Sequence, residues 1–121
     1  MVHALELKQN LQVCPPCGHH FLMDSMDRIF LLADQGTFEE TEEGLFSANP
    51  LGFKGYEEKI GVLREKTRMN DAVVTGRLSI QGKPAMVAVM DCKFFAGSMG
   101  SVVGEKITRA IETAVAEKRG M

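Results

Sequence analysis

Two apolar runs dominate the second half of the chain: Asp71 to Ile80 and Lys83 to Cys92, rich in Val, Ile and Met, parted only by Gln81-Gly82. Runs of strand length joined by two residues that include a glycine predict a β-hairpin. Phe94-Phe95-Ala96-Gly97-Ser98-Met99-Gly100 then forms a small-residue loop. Beyond it Val103, Ile107, Ala110, Ile111 and Ala114 recur at helical spacing and predict a helix over about 101–118. The order is strand, glycine loop, helix.

Upstream the apolar positions also recur at helical spacing. Met26, Ile29, Phe30 and Ala33 predict a helix over roughly 25–35, with Asp24 as N-cap, Asp27 in its first turn and Gly36 placed to end it. Thr37 to Phe46 is acidic, with Phe38, Leu45 and Phe46 as its large apolar anchors, and reads as an extended edge or loop. Asn49-Pro50-Leu51-Gly52 marks a turn. A second helix fits 56–67, where Ile60, Leu63 and Thr67 share a face and the charged residues form its wet side. Residues 3–12 read as a short helix or an extended arm, and Cys14-Pro15-Pro16-Cys17-Gly18 as a tight turn. The whole is an α+β chain.

Composition narrows the function classes. The chain has 121 residues, 45% hydrophobic and 25% charged, which suits one domain with or without a small appended module. Lys plus Arg number 14 against 16 acids, a net charge of −2 that gives no global field for nucleic acid or an anionic membrane. No apolar run reaches bilayer length, and the amino terminus lacks the basic start and apolar block of a signal peptide. Three cysteines are an odd set for a secreted domain this small, so a cytoplasmic location is expected.

Cys14-x-x-Cys17 supplies two ligands of a tetrahedral zinc site, which needs four. His19 and His20 are badly spaced to complete it. The alternatives are two reduced thiols on a turn, or a redox pair, although no strand precedes the motif and no helix starts at its first cysteine. Cys92 closes an apolar run and is expected to be a buried, inert thiol. No histidine follows His20, which argues against Ser-His or Cys-His catalysis. His3 is expected to be exposed.

Gly97-Ser98-Met99-Gly100-Ser101-Val102-Val103-Gly104-Glu105-Lys106 is not a phosphate loop. Three residues, not four, separate Gly100 from Gly104, and Glu105 stands before Lys106. Its small residues still let a ligand approach the backbone, and a helix starting near Ser101 would aim free amides at an anionic or carbonyl-bearing group. The alternative is a plain chain-reversing turn, with Gly104 allowing close helix–sheet packing.

Four strings in order carry a resemblance: Asn10 to His20, Asp34-Gln35-Gly36-Thr37-Phe38, Asn49-Pro50-Leu51, and Gly97 to Lys106. Together they resemble the β subunit of bacterial acetyl-CoA carboxylase carboxyltransferase. The resemblance implies a zinc ribbon followed by a crotonase-type spiral of ββα units, and carboxyl transfer from carboxybiotin to acetyl-CoA, giving malonyl-CoA. It implies an α-subunit partner and a biotin carboxyl carrier protein. By position, Cys14 and Cys17 match the second cysteine pair of the ribbon, and Gly97, Ser98, Met99, Gly100 and Ser101 match the region beside bound CoA. Against that pattern the chain is expected to be truncated at both ends. A partial spiral is expected, with a zinc-ribbon remnant at 1–20, a helical connection at 21–70 and the start of the carboxyltransferase domain at 71–121. The ribbon's first cysteine pair is absent, and so is a Ser-Gly-Gly-Ala-Arg segment whose amides stabilise the thioester enolate. The expectation is therefore a self-associating, catalytically silent polypeptide, or a non-catalytic module that binds CoA or a carboxylase.

Overall fold

The computed structural model describes residues 3–121; Met1 and Val2, the start of the expected 1–20 segment, lie outside them. Its centre is the predicted hairpin. Strands β1 (Glu39–Thr41), β2 (Val73–Ile80) and β3 (Lys83–Met90) form an antiparallel sheet in that order, with Val73 opposite Met90 and Ile80 opposite Lys83. The turn takes positive φ at both Gln81 (51°) and Gly82 (75°), the twist-matched geometry of a two-residue hairpin. Asp34 holds it from outside. Its Oδ1 accepts from the Gln81 amide at 2.9 Å and its Oδ2 from the Gly82 amide at 2.7 Å.

Strand β2 is buried from Val73 to Gly76 and at Leu78 because helices cover both its faces. Helix α2 (Ser25–Leu32) lies on one face, where Ile29 packs with Val74 and Leu78. Helix α4 (Ser101–Glu117) lies on the other, where Ala110 and Ala114 meet Met86. Helix α3 (Tyr56–Thr67) closes the α4 side through Ile60, which clusters with Ala72, Val73, Phe94 and Val103. Helix α1 (Ala4–Gln9) precedes the cysteine turn.

Several expectations need correction. Helix α2 stops at Leu32, three residues early, because Ala33 is extended and the Asp34 amide donates to Ser79 O at 2.8 Å. Asp24 stands at the N-cap position without capping; it pairs with Lys93 instead. Phe30 and Ile111 are exposed, since each helix buries a stripe narrower than its apolar spacing suggested. Cys92 is exposed too: β3 ends at Met90, and Asp91 takes the inward position. Gly104 has open space where a Cβ would stand, so helix–sheet packing does not require it. Gly76 is the glycine that packing requires. A Cβ there would lie 2.6 Å from Glu39 O and collide with the Phe38 ring.

Three charged residues among those described are buried without having been foreseen, Asp71, Asp91 and Lys106. Lys106, on the sheet-facing side of α4, is 2% exposed, and its Nζ donates to Val73 O at 3.4 Å.

Candidate functional site

The junction between β3 and α4 is a left-handed turn. Phe95, Ala96 and Gly97 have φ of 44°, 54° and 74°, a backbone that only the glycine adopts freely. Hydrogen bonds and an anchor hold it: the Gly97 amide donates to Phe94 O at 2.9 Å, the Ser98 amide to Phe95 O at 3.1 Å, and Phe94 itself is fully buried. The turn brings Phe95 flat against Tyr56 at the start of α3, with ring centroids 5.7 Å apart.

Helix α4 begins immediately afterwards with its end uncapped. Gly100 has no side chain to cap with, and the first turn carries no acidic residue. The Gly104 amide takes Gly100 O at 3.1 Å, so the amides of Ser101, Val102 and Val103 precede the first intrahelical bond and carry the positive end of the helix dipole. That end borders a concavity of about 640 Å³. Ser98, Gly100, Ser101 and Val102 wall it, Pro50, Leu51 and Phe53 give it an apolar lip, and Tyr56, Phe95 and Asp71 also line it. The Asn49 side chain fixes the lip, its Oδ1 accepting from the Phe53 amide at 2.9 Å. An apolar cleft with a few convergent donors suits a ligand with a long apolar or amide arm and a carbonyl or anionic centre.

Of the five loop residues singled out in the sequence, Ser98, Gly100 and Ser101 line this concavity. Gly97 and Met99 do not. Gly97 turns towards Cys92 and Asp91, and Met99 projects into solvent. Leu51, Phe53, Tyr56, Phe95 and Asp71 were not foreseen as lining residues. Their only signal was the Asn49-Pro50-Leu51 string, which marked a turn without saying what the turn would face.

The two cysteines of the turn come together elsewhere. A short hairpin holds them: Val13 bridges His20, the Cys14 amide donates to His19 O at 2.8 Å, and the Gly18 amide returns to Cys14 O at 2.8 Å. The Cys17 thiol and burial hold the Cys14 thiol above its usual range, while the His19 backbone amide pulls the exposed Cys17 down. His19 is turned edge-on to the Phe21 ring at 4.8 Å. No group of three His, Cys, Asp or Glu side chains converges among the described residues, so these two thiols do not by themselves make a zinc site. No described helix is long and apolar enough to cross a membrane.

The mixed α/β arrangement recurs in solved carboxyltransferase-type structures. The transcarboxylase 12S hexamer core, in crystals with methylmalonyl-coenzyme A, superposes with a TM-score of 0.66 at 24% identity, over 78% of this chain and 17% of that one. A Pseudomonas malonate decarboxylase hetero-tetramer with malonate superposes with a TM-score of 0.58 at 27% identity, over 79% of this chain and 32% of that one. The fold is thus of the crotonase-like carboxyltransferase class.

The Carboxyl transferase domain family matches residues 22–121, and the chain belongs to it. Among curated relatives, the acetyl-coenzyme A carboxylase carboxyl transferase subunit beta of Clostridium novyi is 50% identical over 117 residues. A subunits beta/alpha protein of Natranaerobius thermophilus is 45% identical over 117 residues. The matches take in 97% of this chain but 41% and 19% of those proteins, so the chain spans less than half the length of either.

Proposed function

We propose that this polypeptide is of the acetyl-CoA carboxylase carboxyltransferase β-subunit type and contributes the acyl-CoA side of carboxyl transfer. In this reading carboxybiotin is the donor, acetyl-CoA the acceptor and malonyl-CoA the product. An α subunit and a biotin carboxyl carrier protein are the partners, and the cytoplasm is the setting. The observation that carries it is the uncapped start of α4 opening onto a cleft with an apolar lip. The amides of Ser101 and Val102 would meet the thioester carbonyl or a phosphate, and Leu51, Phe53 and Tyr56 would cover the apolar arm. Gly97 and Met99 shape the bend without touching the ligand. The same reading takes residues 71–121 as the start of the carboxyltransferase domain, 21–70 as its connection and 1–20 as a ribbon segment whose Cys14 and Cys17 supply half a zinc set.

The chain alone is expected to bind the thioester without turning it over. Catalysis needs donors preorganised around the enolate, and losing a single such donor costs about 100- to 1,000-fold in rate. No Ser-Gly-Gly-Ala-Arg segment occurs in this sequence. Isothermal titration with acetyl-CoA tests the binding, and Gly100→Val, which fills the wall, should weaken it. An affinity indifferent to Gly100→Val, or no affinity at all, rejects the site. Malonyl-CoA formed by the chain with carboxybiotin, acetyl-CoA and α subunit would contradict the catalytic half of the reading.

A further inference from the structure

Several polar groups of the concavity at the start of α4 already have partners within the protein. Asn49 engages Phe53 with both ends of its side-chain amide, Oδ1 accepting from the backbone amide at 2.9 Å and Nδ2 donating to the carbonyl at 3.3 Å. The Tyr56 hydroxyl donates to Ser47 Oγ at 3.2 Å. What the cleft offers a ligand on the donor side is the uncapped helix start, with the amides of Ser101 and Val102. The Ser98 and Ser101 hydroxyls can either donate or accept.

Asp71 is a different kind of group. Among the described lining residues it is the only charged side chain, and it is 8% exposed. Its Oδ1 accepts from the Ala72 amide at 2.8 Å. Among the described residues Oδ2 receives no hydrogen bond, and the carboxylate enters no ion pair. Asp71 also lines a smaller cavity of about 200 Å³ together with Lys106, but the Lys106 amine donates to Val73 O instead. A buried carboxylate with one oxygen lacking a donor is disfavoured, and a ligand that brings a donor relieves it.

We propose that Asp71 is a ligand-binding residue of the cleft, its Oδ2 accepting an N–H from the amide arm of an acyl thioester whose carbonyl or phosphate meets the start of α4. The inference rests on the thioester reading of the cleft and adds an orientation to it. Free amides at the helix start call for an acceptor on the ligand, whereas an ionised carboxylate, which only accepts, calls for a donor. A thioester with secondary amides along its arm presents both. A fatty acyl chain or a lone phosphate presents no N–H, and the phosphate would also face Asp71 as a like charge. Asp71 therefore selects ligands by the polarity of the arm. The bond is charge-assisted, so it is stronger than one between neutral groups.

The experiment titrates the full chain calorimetrically with acetyl-CoA and with an analogue that carries ester oxygens in place of the amide N–H groups of the arm. The wild-type chain should bind the amide form at least about tenfold more tightly, the scale of a hydrogen bond to a charged group. Asp71→Asn keeps an oxygen for the Ala72 amide and places an NH2 group where Oδ2 stood. Its urea midpoint should stay near that of wild type while the preference for the amide form disappears. Gly100→Val should instead weaken both forms alike, because it fills the wall and leaves the acceptor in place. Equal wild-type affinity for the two forms, or a preference that survives Asp71→Asn, overturns the role of Asp71 and leaves thioester binding standing. No binding of either form overturns it together with the reading of the cleft.

Discussion

Asp91 reaches across 66 residues of sequence to cap helix α2, its Oδ2 accepting from the Ser25 amide at 2.9 Å while both residues are buried. Its Oδ1 accepts from the Lys93 amide at 2.9 Å. Burial pushes this carboxyl up, but the Ser25 and Lys93 amides outweigh it and hold the group below the usual range. The end of the hairpin and the start of the helix on its outer face are therefore one unit. Asp91→Ala removes the acceptor and strands a buried amide, at an expected cost of about 1–3 kcal/mol. Urea unfolding checks it, and Asp91→Asn should recover part of the loss.

A second prediction concerns acid. Arg77 on β2 grips Glu117 at the end of α4, Nη2 to Oε1 at 2.6 Å with Nε at 3.0 Å, and Arg119 joins from the other side. The Arg77 hydrogen bonds, chiefly, lower the Glu117 carboxyl to about 2. Its folded value lies below the unfolded one, about 4.3, so its contribution is present above that value and is lost as pH falls through about 2. The group is solvent-facing, so the loss should be small and weakened by salt. Thermal melts of wild type and Glu117→Gln between pH 6 and pH 2 should converge at the acid end.

The uncapped helix gives a third. Ser101→Glu places a carboxylate in the first turn of α4, where it complements the dipole and should add about 0.3–1 kcal/mol of stability. The same charge stands on the wall of the concavity and should repel a phosphate or developing oxyanion there. A melting temperature that rises while acetyl-CoA affinity falls is the expected pairing. Affinity that rises with stability would show that the cleft holds the ligand elsewhere.

Gly76 supports a fourth. Gly76→Ala puts a methyl group where Glu39 O and the Phe38 ring already stand, so the edge strand β1 must move off β2. Amide exchange should accelerate at Thr41 and Arg77, while the β2–β3 ladder, on the other side of β2, keeps its protection.

The parts of this fold readable from sequence are those whose cause is local. Gln81-Gly82 dictates its own hairpin, Ile60 and Leu63 mark the inner face of α3, and Gly100-Ser101 marks the loop-to-helix junction that became the candidate site. What escaped depends on residues far apart in the chain. Asp91 lies inside the run that reads as the second strand, and its capping role shows only once Ser25 is brought to it; Asp24, the obvious cap by position, is drawn away by Lys93. Phe30 and Ile111 fit a helical stripe but sit at its margin, where both stay exposed even though the Phe38 ring meets Phe30 edge-on. The apolar lip of the cleft escaped for the same reason: Leu51 and Phe53 face the helix start only because α3 and α4 converge on Phe94.

Lys106 carries a consequence for anyone labelling this protein. An amine held under α4 against Val73 O, with only 2% of Lys106 exposed, should meet an acylating reagent slowly while that helix stays seated. The other lysines react at the surface; this one should react chiefly when the helix lifts. Its modification rate is thus a built-in clock for detachment of α4, the element whose leading end forms the wall of the cleft.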